Sequence, residues 1–170
     1  MSATDHFTPE ELLAYLDGLA IEHATVDHPP VFTVVEAKQV RGLLPGGHSK
    51  SLFLKNKKGL MWLVVVSEDQ VVDLATLAES LDAKRLSFGS PERLMTYLGV
   101  IPGAVTPFAA INDRDGRVTV AISADLLAND PLNFHPLVND RTTSISAADL
   151  VRFLEATGHA VSILQDSDLH

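Results

Sequence analysis

The stretch that decides the fold runs Gly46-Gly47-His48-Ser49-Lys50-Ser51-Leu52-Phe53-Leu54-Lys55-Asn56-Lys57-Lys58-Gly59. It reads as a glycine loop, a strand from Lys50 to Lys55 and a polar turn that closes at Gly59. The next run, Leu60 to Ser67, is rich in β-branched residues and almost continuously apolar. That composition predicts a central strand buried on both faces, so the two strands are expected to form a hairpin inside a larger sheet.

The same part of the chain reverses the charge of the protein. The window from Ala37 to Ser67 holds six Lys or Arg residues and no Asp or Glu, so it carries +6, whereas the chain carries -9 and the remainder -15. This reversal indicates a local basic face suited to a phosphate-bearing partner. A lysine-rich hairpin that is merely kept soluble by its charges would show the same pattern.

Composition limits the classes of protein. A length of 170 residues with 46% hydrophobic content predicts one domain, residues 1–170, with a well-formed core. The absence of cysteine excludes disulfides and thiolate chemistry and fits a reducing, cytoplasmic location. The N-terminus, Met1 to His6, has no apolar signal core, and the run Leu60 to Val66 is too short to span a bilayer, so no membrane association is expected. Histidine spacing and glycine motifs predict no metal and no nucleotide cofactor.

Capping signals and periodicity place the remaining elements. Helices are predicted to begin after caps that are followed by proline or by an acidic residue, and short strands alternate with them. The segment Val100 to Phe108, with two prolines, is expected to be an ordered loop. The pattern favours a mixed α/β domain with an antiparallel or mixed sheet. The predicted helix caps are Thr8, Thr33, Asp73, Ser90 and Ser146, and the other predicted strands are 22–27, 85–88, 117–123, 133–137, 143–145 and 160–164.

Four segments in one order resemble a known family. The stretch around Lys50 resembles the TKNLFL-[KR]-D-KK segment of the YbaK/ProX family of aminoacyl-tRNA deacylases, which also occurs as the editing insertion of bacterial prolyl-tRNA synthetases. The other three resemble its HPP-x-F-T, G-x-x-x-P and H-P-x-x-N segments. The resemblance spans Val26 to about Thr143 and implies a strongly bent, barrel-like mixed sheet surrounded by helices. These three segments are 28–33, 103–108 and 135–139.

Three residues are the candidate catalytic groups. Lys50 follows a Gly-Gly loop at a strand start, where its compact ammonium suits a phosphate or a developing oxyanion, and the resemblance implies an active-site lysine needed for deacylation. Gly103 lies in the loop that the resemblance assigns to holding the aminoacyl group through backbone N–H groups. His135 could act as a general base, but we favour a role in shaping the pocket, through its side chain or its backbone carbonyl.

The resemblance implies two further sets of residues. The sequence departs from the family pattern at Ser51, where asparagine is usual, and at Asn56, where an acid is usual. The implied substrate-binding residues are His28, Pro29, Phe32, Ser51, Ala104, Pro107, Phe108 and Asn139. The expected tRNA-binding residues are Lys38, Arg41, Lys55, Lys57 and Lys58.

The function implied by the resemblance is trans-editing, in which the ester between a wrong amino acid and tRNA is hydrolysed. Alanine on proline tRNA is the favoured substrate, because a small pocket would admit alanine and exclude proline. Two alternatives remain: a deacylase for another amino acid such as cysteine, and a non-catalytic module that binds tRNA or a synthetase. The expected partner is an aminoacyl-tRNA, with a prolyl-tRNA synthetase as a further candidate.

Overall fold

The computed structural model describes residues 6–30 and 46–170. The helix predicted after Thr33 and the first half of the loop predicted at 44–47 lie outside the described residues. The described helices are α1 (Pro9–Gly18), α2 (Leu74–Ser80), α3 (Pro91–Leu98), α4 (Ala124–Leu127) and α5 (Ala147–Ala156). The strands are β1 (His23–Asp27), β2 (Gly47–Lys55), β3 (Met61–Ser67), β4 (Ser87–Phe88), β5 (Val118–Ser123), β6 (Leu132–Phe134), β7 (Arg141–Ile145) and β8 (Val161–Leu164).

The strands form an eight-stranded mixed sheet, as the sequence predicted. Their order is β1-β7-β6-β2-β3-β5-β8, and β4 is added beside β2. The pairs β2–β6, β3–β5 and β5–β8 are parallel, and the others are antiparallel. The β2–β3 hairpin therefore lies in the middle of the sheet, where its apolar sequence can be covered on both faces.

The predicted hairpin is confirmed in detail. Lys55 pairs with Met61, and the six residues from Met61 to Val66 are all buried. The Oδ1 atom of Asn56 accepts hydrogen bonds from the backbone N–H groups of Lys58 and Leu60, both at 3.0 Å. Its Nδ2 atom donates to the carbonyl of Ala83 at 3.4 Å. An aspartate could accept the first two bonds but could not donate the third, which gives a physical reason for asparagine at this position.

Alternation along the strands separates two cores, because successive side chains of a strand point to opposite faces. Phe53, Leu63 and Val65 contribute to the main core, together with side chains of α1, α3 and α5. Leu54 and Val64 instead join a second core on the other face, which α2 and the C-terminal residues cover. Every residue of β2 is thereby assigned to one face or the other.

The capping predictions hold for the described helices. Thr8 and Glu11 form a capping box at α1, and Ser90 and Ser146 accept from the third backbone N–H of α3 and α5. Gly99 ends α3 with φ +66°, a conformation that favours glycine.

The structure also differs from the sequence prediction. The segment predicted as a loop contains two 3₁₀ helices, Pro102–Ala104 and Pro107–Asn112, because each proline supplies the φ angle of a first helical residue. Strand β6 ends at Phe134, so residues 135–137 are not a strand. The short helix α4, capped by Ser123, was not predicted.

Candidate functional site

The sheet opens along one edge of β2, and this opening is the centre of the candidate site. At its start β2 pairs with β6, through His48 and Asn133, and at its end it pairs with β4, through Leu54 and Phe88. Between these two ladders no described strand pairs with this edge of β2. We call the edge from Ser49 to Leu52 the β2 gap.

Lys50 lies in the β2 gap. It pairs with Val66 across the hairpin, so it shares the sheet face of Leu52 and Leu54. Its side chain is half-buried, and within residues 6–30 and 46–170 its ammonium has no hydrogen bond or ion pair. A cation without a partner in a partly enclosed position is available for a phosphate oxygen or a developing oxyanion.

His135 directly follows β6, the strand that pairs with the start of β2. The parallel register joins His48 to Asn133, and Lys50 and His135 each follow two residues later on their own segments, beyond the last paired residues. The Nδ1–H group of His135 donates to the carbonyl of Arg141 at 2.9 Å, which leaves the lone pair on Nε2. Burial lowers the pKa of His135 below its ordinary value of 6.5. The ring is therefore neutral at pH 7 and can accept a hydrogen bond from a hydroxyl group or water.

The segments beginning at His28 and His135 meet in space, as the resemblance implied for a shared pocket. The ring centroids of the two histidines are 6.1 Å apart. The Nδ1–H group of His28 donates to Pro29 O at 2.8 Å, and its Nε2 atom accepts from Thr142 Oγ1 at 2.8 Å. Pro29 is exposed, whereas Asn139 is buried in the turn that precedes β7.

Two hydrogen bonds of Asn133, which we call the anchor, connect β2 with β6 and β7, and the sequence did not predict them. Asn133 Nδ2 donates to the carbonyl of Gly47 at 3.1 Å, and Ser144 Oγ donates to Asn133 Oδ1 at 2.6 Å. These bonds join β7, β6 and the start of β2, three residues before Lys50. The signal was available: Asn133 is a polar residue in a predicted strand, two residues before His135 and on the same face.

The loop around Gly103 packs against the main core. Gly103 is the middle residue of a 3₁₀ helix and is not among the glycines with positive φ. Ala104 and Phe108 are fully buried, and the Phe108 ring meets Phe134 edge-to-face at 5.9 Å. Pro107 is buried as well. The structure therefore packs these three side chains in the main core and does not bring them to the Lys50 face.

The other expected site residues are spread over the hairpin. Ser51 is half-buried and alternates to the face opposite Lys50. Lys55 is half-buried at the end of β2, and Lys57 and Lys58 are exposed in the turn. The remaining three, Phe32, Lys38 and Arg41, lie outside the described residues.

Neither a metal centre nor a membrane span is found in the described part of the chain. In residues 6–30 and 46–170, no group of three His, Asp or Glu side chains is arranged to hold a metal ion. Among the described helices, none has both the length and the apolar character needed to cross a bilayer.

Comparison with known proteins decides the family. Residues 28–153 match the family model of the aminoacyl-tRNA editing domain. The chain belongs to this family. The matched range contains Lys50, Gly103, His135 and the whole β2 gap. This result confirms the family that the four sequence segments resemble.

Curated relatives cover nearly the whole chain. The prolyl-tRNA editing protein ProX of Acetoanaerobium sticklandii is 33% identical over 92% of this chain and 96% of its own length. Prolyl-tRNA synthetase associated domain-containing protein 1 of Danio rerio is 38% identical over 91% of this chain and 85% of its own length. The multifunctional Ser/Thr-tRNA deacylase ProXp-y of Escherichia coli K12 is 25% identical over 87% of this chain and 89% of its own length.

Solved structures confirm the fold. A crystal structure described as that of a candidate trans-editing enzyme for prolyl tRNA synthetase superposes with a TM-score of 0.70 and 21% identity, over 92% of this chain and 95% of that chain. The crystal structure of hypothetical protein APE2540 gives 0.71 and 20%, over 89% of this chain and 97% of that chain. Both share the mixed α/β architecture.

Proposed function

We propose that this protein is a free-standing hydrolase that removes a wrong amino acid from tRNA. The observation that carries the proposal is the ammonium of Lys50 in the β2 gap, which has no hydrogen bond or ion pair within residues 6–30 and 46–170, together with the neutral ring of His135 directly after β6. Membership of the aminoacyl-tRNA editing family supports this proposal, as does similarity to two relatives, a prolyl-tRNA editing protein and a Ser/Thr-tRNA deacylase.

The chemistry asks for orientation and charge stabilisation rather than a nucleophilic side chain. An aminoacyl ester is already activated, and the adjacent ribose hydroxyl can position or activate the attacking water. Lys50 would stabilise the oxyanion or the terminal phosphate, and the backbone around Gly103 would hold the aminoacyl carbonyl. His135, neutral and tethered to Arg141 O, would shape the pocket and accept a hydrogen bond through Nε2.

Alanine attached to proline tRNA is the substrate that we propose. A small editing pocket admits alanine and excludes the larger proline by size. An aminoacylation site that is large enough for proline cannot exclude the smaller alanine in the same way. The name of the E. coli relative favours a second candidate, hydrolysis of seryl- or threonyl-tRNA. The partner is the mischarged tRNA, and a prolyl-tRNA synthetase could supply it.

A panel assay tests the proposal. Purified protein would be mixed with tRNA(Pro) charged with alanine, cysteine or proline, and with tRNAs charged with serine or threonine, and release of the amino acid would be followed. We expect fastest turnover of alanyl-tRNA(Pro) and none of prolyl-tRNA(Pro). Binding without release from any member of the panel would instead establish a non-catalytic tRNA-binding module.

A further inference from the structure

A second group of cations joins the lysine turn of the hairpin. The β2–β4 ladder ends where Lys55 pairs with Ser87; Lys57 and Lys58 follow Lys55 by two and three residues, and Arg85 and Lys84 precede Ser87 by two and three residues. The bond from Asn56 Nδ2 to Ala83 O joins the residue before Lys57 to the residue before Lys84, so the two pairs of cations begin at contacting residues. We call the four exposed cations Lys57, Lys58, Lys84 and Arg85 the basic corner.

The charge of the basic corner is not neutralised by ion pairs. None of its four residues has an acidic partner within the described parts of the chain. The nearest acids along the sequence, Glu79 and Asp82, are exposed. In a protein of net charge -9, a concentrated positive corner is complementary to a polyanion.

An exposed aromatic ring stands next to the basic corner. Phe88 is 60% exposed, and its ring has no aromatic partner among the described residues. It pairs with Leu54, so it lies on the sheet face that carries Lys50, and it borders the β2 gap. A flat apolar ring beside unpaired cations is the combination that binds single-stranded nucleic acid, because a base stacks on the ring while the cations meet phosphates.

The spacing between Phe88 and Lys50 fits a short single strand. Leu54, the partner of Phe88, is four residues from Lys50, which corresponds to about 13 Å along β2. A stacked strand of nucleic acid rises roughly 3.4 Å per nucleotide, so a few nucleotides cover this distance. A ribose held at Lys50 therefore places nearby unpaired bases within reach of Phe88.

We propose that Phe88 is a stacking platform for an unpaired base near the 3′ end of the tRNA, and that the basic corner contacts the phosphates next to it. This inference rests on the proposed function for its ligand and goes beyond it in assigning the path of the strand, from Lys50 along the β2 gap to Phe88. Lys84, Arg85 and Phe88 are thereby added to the tRNA-binding residues.

The test compares the affinities of two proteins for two RNAs. Wild type and Phe88→Ala would each be titrated with uncharged tRNA(Pro), either intact or lacking its unpaired 3′ nucleotides. We expect Phe88→Ala to weaken binding of intact tRNA at least fivefold, the lower end for loss of one stacked base. With the shortened tRNA, wild type and variant should bind equally. Phe88→Trp should bind intact tRNA as well as wild type does.

Matched controls separate this effect from loss of fold. Val71 is 67% exposed and lies outside the corner, so Val71→Ala should leave affinity unchanged. Replacing both Lys84 and Arg85 by Gln should lower the slope of log K against log salt by roughly 1.4 to 1.8. Arg152→Gln, on α5, should not alter that slope.

Several outcomes would overturn the inference. Equal losses on both RNAs, or no loss with Phe88→Ala, would mean that no base stacks on this ring. If Phe88→Ala sediments differently from wild type in the absence of tRNA, Phe88 belongs instead to a contact between two copies of the chain. Because uncharged tRNA is used, these outcomes do not depend on hydrolysis: an active enzyme with no stacking refutes only this inference, whereas stacking without turnover on the panel refutes only the proposed function.

Discussion

His28 and His135 face each other with their ring centroids 6.1 Å apart, although one follows β1 and the other follows β6. The start of β7 holds both rings: Thr142 Oγ1 bonds to His28, and Arg141 O accepts from His135. A single strand therefore sets the separation of two side chains at the rim of the candidate site.

The buried His135 predicts a pH dependence of stability. Burial, the largest cause, lowers its pKa from 6.5, and the nearby His28 lowers it further, while the bond to Arg141 O and the charge of Asp140 act in the opposite direction. A lowered pKa means that the unfolded chain takes up the proton more readily. The stabilising contribution of neutral His135 is thus complete above about pH 6.5 and is lost as the pH falls towards the folded-state pKa.

We expect His135→Asn to flatten this dependence. Urea unfolding at pH 7.5 and pH 5.5 would give the free energy of unfolding for wild type, the variant and an exposed-histidine control, His170→Gln. The drop in free energy between the two pH values should be smaller for His135→Asn than for the other two proteins. An equal drop in the free energy of unfolding for all three proteins would show that His135 is protonated to the same extent in the folded and unfolded states.

Lys50→Ala should remove hydrolysis and leave the fold intact. Its ammonium has no partner to lose among the described residues, whereas loss of one oxyanion donor costs a factor of about 10² to 10³ in rate. Single-turnover deacylation at saturating protein and the thermal midpoint would be measured for Lys50→Ala and for Lys55→Ala, a half-buried lysine on the same strand whose expected tRNA contact affects affinity and not the saturated rate. A folded Lys50 variant with near-normal turnover would exclude this lysine from the mechanism.

Replacing Lys57 and Lys58 by Gln should weaken tRNA binding but spare hydrolysis at saturating tRNA. Both lysines are exposed in the turn, and six residues separate Lys57 from Lys50. The salt dependence of binding should also become shallower. If saturated turnover falls as far as it does in Lys50→Ala, the docking and catalytic parts of the hairpin are not separate.

Asn133→Ala should slow hydrolysis more than it weakens tRNA binding. The variant frees Gly47 O at the start of β2 and leaves the Ser144 hydroxyl without its acceptor, at a cost of about 1–3 kcal/mol in stability. Lys50 follows three residues later, and small displacements of a reacting group cost large factors in rate.

Ser144→Ala provides the matched comparison, because it removes only the outer bond of the anchor. We expect it to reduce the single-turnover rate less than Asn133→Ala does. A loss of stability with an unchanged rate in both variants would limit the anchor to a structural role.

Gly103→Ala should impair hydrolysis rather than binding. Gly103 lies in a 3₁₀ helix and not at positive φ, so alanine fits the backbone and any effect comes from the added Cβ atom. If that atom displaces the aminoacyl carbonyl from a backbone donor, the loss is about 3–4 kcal/mol of transition-state stabilisation. Rate and affinity would be measured side by side; a loss confined to affinity would remove this loop from the reacting centre.

Local sequence determined most of the secondary structure. The capping residues Thr8, Ser90 and Ser146 make the side-chain bonds that their positions predicted, because a cap depends on neighbours three residues away. The apolar run of β3 predicted its central position, since only a strand covered on both faces carries such a sequence. The order of four short segments indicated the family that the comparisons confirm.

Tertiary structure alone decided which residues share the site. Whether Ala104 and Phe108 turn to the core or to a substrate depends on the face of the sheet that they meet, and a Gly/Pro-rich sequence gives no sign of it. The Asn133–Gly47 bond and the Asn56–Ala83 bond depend on strand pairing, which joins residues far apart in the chain. Sequence periodicity assigns a side chain to a face of its own strand, but only the pairing of strands determines which other side chains lie beside it.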